Sequence, residues 1–182
     1  MAAAADELLA SVVSEKLDIA LIPANVASVL YQKTEGQVSV IDINTLGVLS
    51  MISGDSSIAS WSDLAGKTVY LTGKGTTPDY VLQYLLKEHA SLDGFSPEDV
   101  TLEYKSEAAE IAAILKENPE AVGLLPQPFA TVAMSQNEAL RTVFDLTEEW
   151  DKLQTESKSR LVTGVTIVRN GFLEEHPEEV EA

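Results

Sequence analysis

The chain has 182 residues, and 12 Lys and Arg stand against 29 Asp and Glu, for a formal net charge of −17. That balance leaves no basic stripe to neutralise phosphates and disfavours nucleic acid and anionic membrane surfaces as partners. A hydrophobic content of 45% excludes a disordered polar chain,. With no cysteine in the sequence, disulfides, thiolate nucleophiles, cysteine-based zinc sites and lipid attachment to Cys drop out together.

Taken in chain order, Leu8, Leu9, Val12, Val13 and Leu17 recur at helical spacing and predict a helix over 6–16. Residues 18–23 read as a buried strand ending at Pro23. Asn25 then reads as the cap of a helix stopped by Gly36. A strand over 38–43 is followed by a polar turn at Asn44 and Thr45, and 46–52 reads as another strand. Residues 57–66 form a short capped turn, and 67–71 a strand. A helix from Pro78 to His89 carries Val81, Leu82, Leu85 and Leu86 on one face. A turn at 96–99 leads to a strand over 100–104, and Ser106 caps an Ala-rich helix ending before Pro119. A buried strand over 121–125 leads to a helix starting at Gln127 and Pro128. Strands over 142–146 and 161–168 follow, with a helical turn at 147–153 and an acidic helix from Pro177.

The alternation of strands and helices predicts an α/β protein with mostly parallel sheets and no internal repeat. In such sheets ligands sit at the carboxyl ends of strands. The polar residues just after strands are therefore the candidates: Asn25, Asn44, Thr45, the 73–77 loop, Ser106 and Gln127. The loop carries the strongest local signal. In KTVYLTGKGTTPDY a β-rich run breaks at Gly73-Lys74-Gly75 and a helix opens at Thr77-Pro78, with Thr77 suited to the N-cap and Pro78 to the first turn. Backbone N–H groups and the positive end of the helix dipole converge there, which suits a small anionic or polar ligand. A P-loop needs a Gly five residues before Gly73-Lys74 and a Ser or Thr right after the Lys, but position 68 is Thr and position 75 is Gly, so a nucleotide-binding P-loop is excluded.

The bland reading stands beside each candidate. Asn25 and Gln127 can be helix caps, Phe129 a core residue, Lys74 an ordinary surface lysine, and Tyr80 and Tyr84 partly buried residues of a helix face. His89 and His176 have no motif partner for metal or nucleophilic chemistry. The acidic pairs Glu148-Glu149 and Glu174-Glu175 read as solvated helix faces. No apolar run approaches the ~18–20 residues of a membrane span. The start MAAAADELLASVV lacks the basic and apolar regions of a signal peptide, so an exported protein would have its export signal outside this sequence.

The succession DIALIPANVASVLYQK, INTLGVLSMI, SWSDLAGKTVYLTGKGTTPDYVLQYLL, EYKSEAAEIAAIL, VGLLPQPFATVA, DLTEEWDKL and VRNGFLEEHPEEVE resembles extracytoplasmic solute-binding proteins of ABC transporters. The group it is most similar to is the nitrate/sulfonate/taurine and thiamine-precursor type. The run from Asp63 to Leu86 and the later LPQPF, usually with Glu where Gln127 stands, carry most of the likeness. The resemblance implies a type II periplasmic-binding-protein fold: two α/β lobes around a cleft, with lobe one from 1–65 and 127–182 and lobe two from 66–126. It implies that lobe one is incomplete, lacking the family's first strand and helix and its last helices, and that the exposed sheet edge could pair with a second copy. It places Gly75, Thr76 and Thr77 in the cleft from lobe two, and Asn25, Asn44 and Thr45 from lobe one, with Gln127, Pro128 and Phe129 near the crossover.

The function implied is non-enzymatic: capture of a small polar or anionic molecule outside the cytoplasm, without cofactor or metal, and delivery to a membrane permease. Two alternatives use the same fold. One is an enzyme of menaquinone or pyrimidine pathways, although the Cys-rich motif of the pyrimidine type is absent and no nucleophile–base pair stands out. The other is the ligand-sensing domain of a transcriptional regulator, which would need a helix-turn-helix segment upstream.

Overall fold

The structure is a computed structural model and describes residues 5–154 and 158–181. The chain divides into two compact units, one formed by 1–46 and 162–182 and the other by 47–161.

The first unit contains α1 (Ala5–Val13), β1 (Ile19–Pro23), α2 (Ala24–Lys33), β2 (Val38–Leu46), β8 (Val162–Arg169), α7 (Asn170–Glu175) and α8 (Pro177–Glu181). Its sheet has the order β1-β8-β2 and is antiparallel throughout. Ala20 and Ile22 alternate with the exposed Leu21, the period-2 pattern of a strand with one packed face,. Val26, Ala27 and Leu30 of α2 meet Ala20, Ile22, Val165 and Ile167 in one core. Helix α2 stops at the expected glycine: Gly36 has φ +84°, and its N–H donates to the Tyr31 carbonyl at 2.8 Å,.

The second unit holds β3 (Leu49–Ser53), a 3-10 turn (Trp61–Leu64), β4 (Thr68–Thr72), α3 (Thr77–Asp93), β5 (Thr101–Lys105), α4 (Ala108–Glu117), β6 (Val122–Pro126), α5 (Phe129–Gln136), β7 (Arg141–Asp145) and α6 (Leu146–Leu153). Its five-stranded sheet has the order β5-β4-β6-β3-β7. Strand β4 pairs in parallel with β5 and β6, whereas β3 is antiparallel to β6 and β7. Both faces are covered. Leu49, Met51, Val69, Leu71, Val122 and Leu124 pack under α3 and α6. Ile52 and Leu125 pack under α4 and α5 with Ile111, Leu115, Ala130 and Ala133. Strands β3 and β6 carry apolar side chains on both faces, Met51 and Ile52 in one and Leu124 and Leu125 in the other, because both faces are buried,.

The α/β class is as expected from the sequence, but the sheets are mixed rather than mostly parallel: antiparallel pairs hold all of the first sheet and the β6-β3-β7 half of the second. Of the strands before 54 and after 126, β3 and β7 belong to the five-stranded sheet, where β3 hydrogen-bonds to both β6 and β7. The expected lobe boundaries at 65/66 and 126/127 therefore fall inside the second unit, and the chain passes between units at 46/47 and 161/162.

Gly123 shows how tightly β6 seats against α4. A Cβ built there would lie 2.6 Å from Ile111 Cγ2 and 3.0 Å from Leu115 Cδ1, and both side chains are fully buried. Gly123→Ala is expected to cost about 1–3 kcal/mol by overpacking. Urea unfolding with an unchanged midpoint would contradict that close approach.

Candidate functional site

In the second unit, strands β4, β5 and β6 run the same way, so the segments after them share one end of the sheet. Helix α3, after β4, packs on one face of the sheet, whereas α4 and α5, after β5 and β6, pack on the other. Where neighbouring strands send their helices to opposite faces, the loops part and leave a crevice outside the carboxyl ends of the strands. The 73–76 loop borders this place from β4, Ser106 follows β5, and Gln127 follows β6. The start of β3 and the end of β7 reach the same end: Leu49 lies opposite Pro126 and Ser50 opposite Asp145. Gly47 is there too, where a Cβ would collide with the Thr147 side chain.

The loop itself is closed by its own chain. Gly73 and Gly75 have φ of +73° and +76°, the left-handed region that glycine enters without a Cβ penalty. Thr76, not Thr77, is the N-cap of α3, and Pro78 lies in the first turn. The Thr76 hydroxyl donates back to the Gly73 carbonyl at 2.5 Å, and the Thr76 N–H to the same carbonyl at 2.9 Å. The Gly75 N–H donates to Asp79 Oδ2 at 2.7 Å. Thr77 is buried, one residue into the helix.

Asp79 is the centre of this arrangement and is only 3% exposed. Its Oδ1 accepts from the Tyr104 hydroxyl at 2.7 Å and the Gln83 amide at 2.6 Å. Burial opposes its charge, but the Gly75 N–H, Tyr104 hydroxyl, Gln83 amide and nearby Lys74 together hold its carboxyl below the ordinary aspartate value,. Burial and the Asp79 carboxylate conversely push the Tyr104 phenol up to about 12. The Lys74 ammonium sits 5.2 Å from the Tyr104 ring centre, a cation–π contact,. A carboxylate from the protein therefore occupies one of the amides that the sequence alone offers to an external anion.

The other expected residues of this unit are placed as follows. Gln127 accepts from the Thr131 hydroxyl at 2.7 Å and the Thr131 N–H at 3.3 Å, so its side chain serves the first turn of α5. Its own N–H donates to the Val48 carbonyl at 3.0 Å. Phe129 opens α5 and is 41% exposed, a surface position rather than a core one. Glu107, not Ser106, is the N-cap of α4.

In the first unit, Asn25 is not a cap: Pro23 holds the N-cap position of α2, and the Asn25 carbonyl accepts from the Ser28 hydroxyl at 2.8 Å. Asn44 and Thr45 are not a turn but lie in β2, whose register against β8 slips near them. Asn44 Nδ2 donates to the Thr166 hydroxyl at 3.1 Å, and its Oδ1 accepts from the Thr45 hydroxyl at 2.8 Å. Pro23 and Thr45 both lie opposite Gly164, where a Cβ would come within 2.6 Å of Asn44 Oδ1. Gly164 thus lets Asn44 and Thr45 lie over the sheet at the end where Asn25 follows β1.

Two groups escaped the sequence reading. Asp79 had a local signal, the Thr76-x-x-Asp79 spacing of a capping box, although its carboxylate takes the Gly75 N–H, one residue before the N-cap. Glu149 was read as solvated with Glu148, yet it is 6% exposed, and the Trp61 indole N–H donates to its Oε2 at 3.0 Å. Its burial depends on α6 packing against a turn 88 residues away, which no local pattern records.

The fold is similar to that of solved periplasmic binding proteins. Matches among solved structures include an ABC transporter from Parabacteroides distasonis, with TM-score 0.69, 19% identity, and coverage of 96% of this chain and 62% of that one. They also include the periplasmic aliphatic sulphonate binding protein SsuA from Escherichia coli, with TM-score 0.68, 14% identity, and coverage of 98% and 56%. A putative periplasmic sulfonate-binding protein SsuA from Methylobacillus flagellatus KT gives TM-score 0.68, 17% identity, and coverage of 98% and 50%. The chain thus spans less than two thirds of the length of each of these. No protein-family model and no curated protein matches it in sequence.

Proposed function

We propose that the chain is the solute-binding part of an ABC uptake system, holding a small polar molecule outside the cytoplasm for a membrane permease and catalysing no reaction. The observation that carries this reading is the change of helix side between β4 and β6 at the carboxyl end of the sheet, beside a glycine loop fixed by Asp79, on a fold similar to that of solved periplasmic binding proteins. A binding loop has to be held in shape before its ligand arrives, because ordering it on binding would subtract from affinity. The contacts proposed are Gly75, Thr76, Thr77, Gln127 and Phe129 of the second unit, and Asn25, Asn44 and Thr45 of the first. Asp79 puts a negative charge on the Gly75 amide, which favours a polar ligand that meets hydroxyls and amides over a bare anion placed on that N–H.

The test is a thermal-shift screen of taurine, nitrate, bicarbonate, pyrimidines and short peptides, since a ligand that binds only the folded state raises the melting temperature. For the compound that shifts the midpoint most, Thr76→Ala is expected to weaken binding by about tenfold or more, roughly 1.4 kcal/mol, and Thr76→Ser to restore it. Thr77→Ala is expected to weaken binding likewise. Affinity unchanged in both Ala variants by calorimetry would remove the loop from the site.

A further inference from the structure

His89 lies on the buried side of α3 with its ring stacked on Trp61, centroids 4.6 Å apart and planes at 5°. Trp61 stacks in turn on Phe144 at 4.7 Å. The His89 Nε2 is 3.3 Å from Glu149 Oε2, but it is buried and makes no hydrogen bond among the described residues. Glu149 is held by other donors: the Trp61 indole N–H on Oε2 at 3.0 Å, and the Lys152 ammonium on Oε1 at 2.5 Å. The second ring nitrogen, Nδ1, stands 4.0 Å from Asp93 Oδ2. Among the described residues, the charged groups around the ring are Glu88 and Asp93 from α3 and Glu149 and Lys152 from α6, while the 3-10 turn and β7 present the neutral Trp61 and Phe144.

A buried nitrogen without a partner is costly, and here the nearest acceptor is a carboxylate already engaged by an indole. We propose that His89 and Glu149 form an acid-responsive latch joining α3, the Trp61 turn and α6, in which a proton taken up from solvent at His89 closes an ion pair with Glu149 and draws that carboxylate from the Trp61 indole. Helix α6 is the element that moves. Its N-cap, Asp145, accepts from the Thr147 and Glu148 N–H groups at the sheet end that carries the 73–76 loop. The proton therefore acts on the border of the candidate site through the seating of α6. This inference does not rest on the solute-binding reading.

The direction in pH follows from burial, which holds His89 below the ordinary histidine value against the pull of Glu149 and Asp93,. Between the folded value and about 6.5, the unfolded chain binds more protons than the folded one. Stability is therefore full above about pH 6.5 and falls as pH drops through the folded value.

Trp61 and Trp150 are the two tryptophans of the sequence, so a Trp150→Phe background isolates Trp61 as the probe. Between pH 7.5 and 4.5, Trp61 emission is expected to change reversibly with a midpoint below about 6.5, while far-UV circular dichroism stays constant. His89→Phe is expected to abolish the change, and Glu149→Gln to move the midpoint lower. A midpoint that survives His89→Phe, that does not move in Glu149→Gln, or that is absent altogether overturns the latch. Should the Phe variant fail to fold, the titration of His89 in the unmodified protein decides by NMR. A His89 midpoint below about 6.5 supports the latch, and one at or above that value overturns it.

Discussion

Leu85→Ala is expected to destabilise the second unit by about 2–5 kcal/mol, while Leu92→Ala on the same helix costs less than about 0.5 kcal/mol. The two leucines are seven residues apart, almost two helical turns, and so belong to one stripe. Leu85 is fully buried against the sheet with Leu82 and Leu86, whereas Leu92 is 69% exposed, past the last buried residues of α3, His89 and Ala90. Truncating Leu85 opens a cavity among side chains that cannot close in. Truncating Leu92 removes atoms that water already reaches. Urea midpoints shifted equally by the two changes would mean that α3 does not pack as described.

Asp79→Ala is expected to cost about 2–4 kcal/mol, because it leaves the Gly75 N–H, the Tyr104 hydroxyl and the Gln83 amide without their acceptor at a largely buried place,. The loop between β4 and α3 should loosen with it, seen as faster hydrogen exchange at the Gly75 amide. The contribution of Asp79 also depends on pH. Its folded value is depressed, so the stabilisation is present above the ordinary aspartate value of about 3.9 and is lost as pH falls through the folded value. Tyr104→Phe removes one donor and should produce a smaller change in the same direction. An Asp79→Ala protein with wild-type stability and unchanged Gly75 exchange would show that the loop is held by its glycines alone.

Most elements were legible because they are set by neighbours in sequence. Strands β1, β4 and β6 and helix α4 lie within a residue or two of the spans read from periodicity, and Gly36 ends α2 through its positive φ, whereas α3 runs past the expected end at His89 to Asp93, where Gly94 takes a positive φ. Caps were less legible. Thr76 and Thr77 are the same residue type, and the choice between them was made by Asp79, whose carboxylate reaches back to the Gly75 N–H and fixes the start of the helix. Asn44 and Thr45 look like turn residues, yet β8 supplies a partner for each: the Thr166 hydroxyl accepts from Asn44, and Gly164 lies opposite Thr45 in the register. A polar dipeptide becomes strand when another strand offers it hydrogen bonds.

Composition, charge and local pattern by themselves determined that this is an α/β chain without basic patch or thiol chemistry, that a glycine loop leads from β4 into α3, and which polar residues follow strands. Only the tertiary structure decided what those residues do. It put a carboxylate of the protein on the loop amide, turned Gln127 toward its own helix, paired β3 with both β6 and β7 so that 47–161 is one unit, and buried Glu149 beside His89. The physical reason is range. Propensity, capping and hydrophobic period act over a few residues, whereas a buried polar group takes whichever partner the packing brings to it, and for Glu149 that partner stands 88 residues away in sequence.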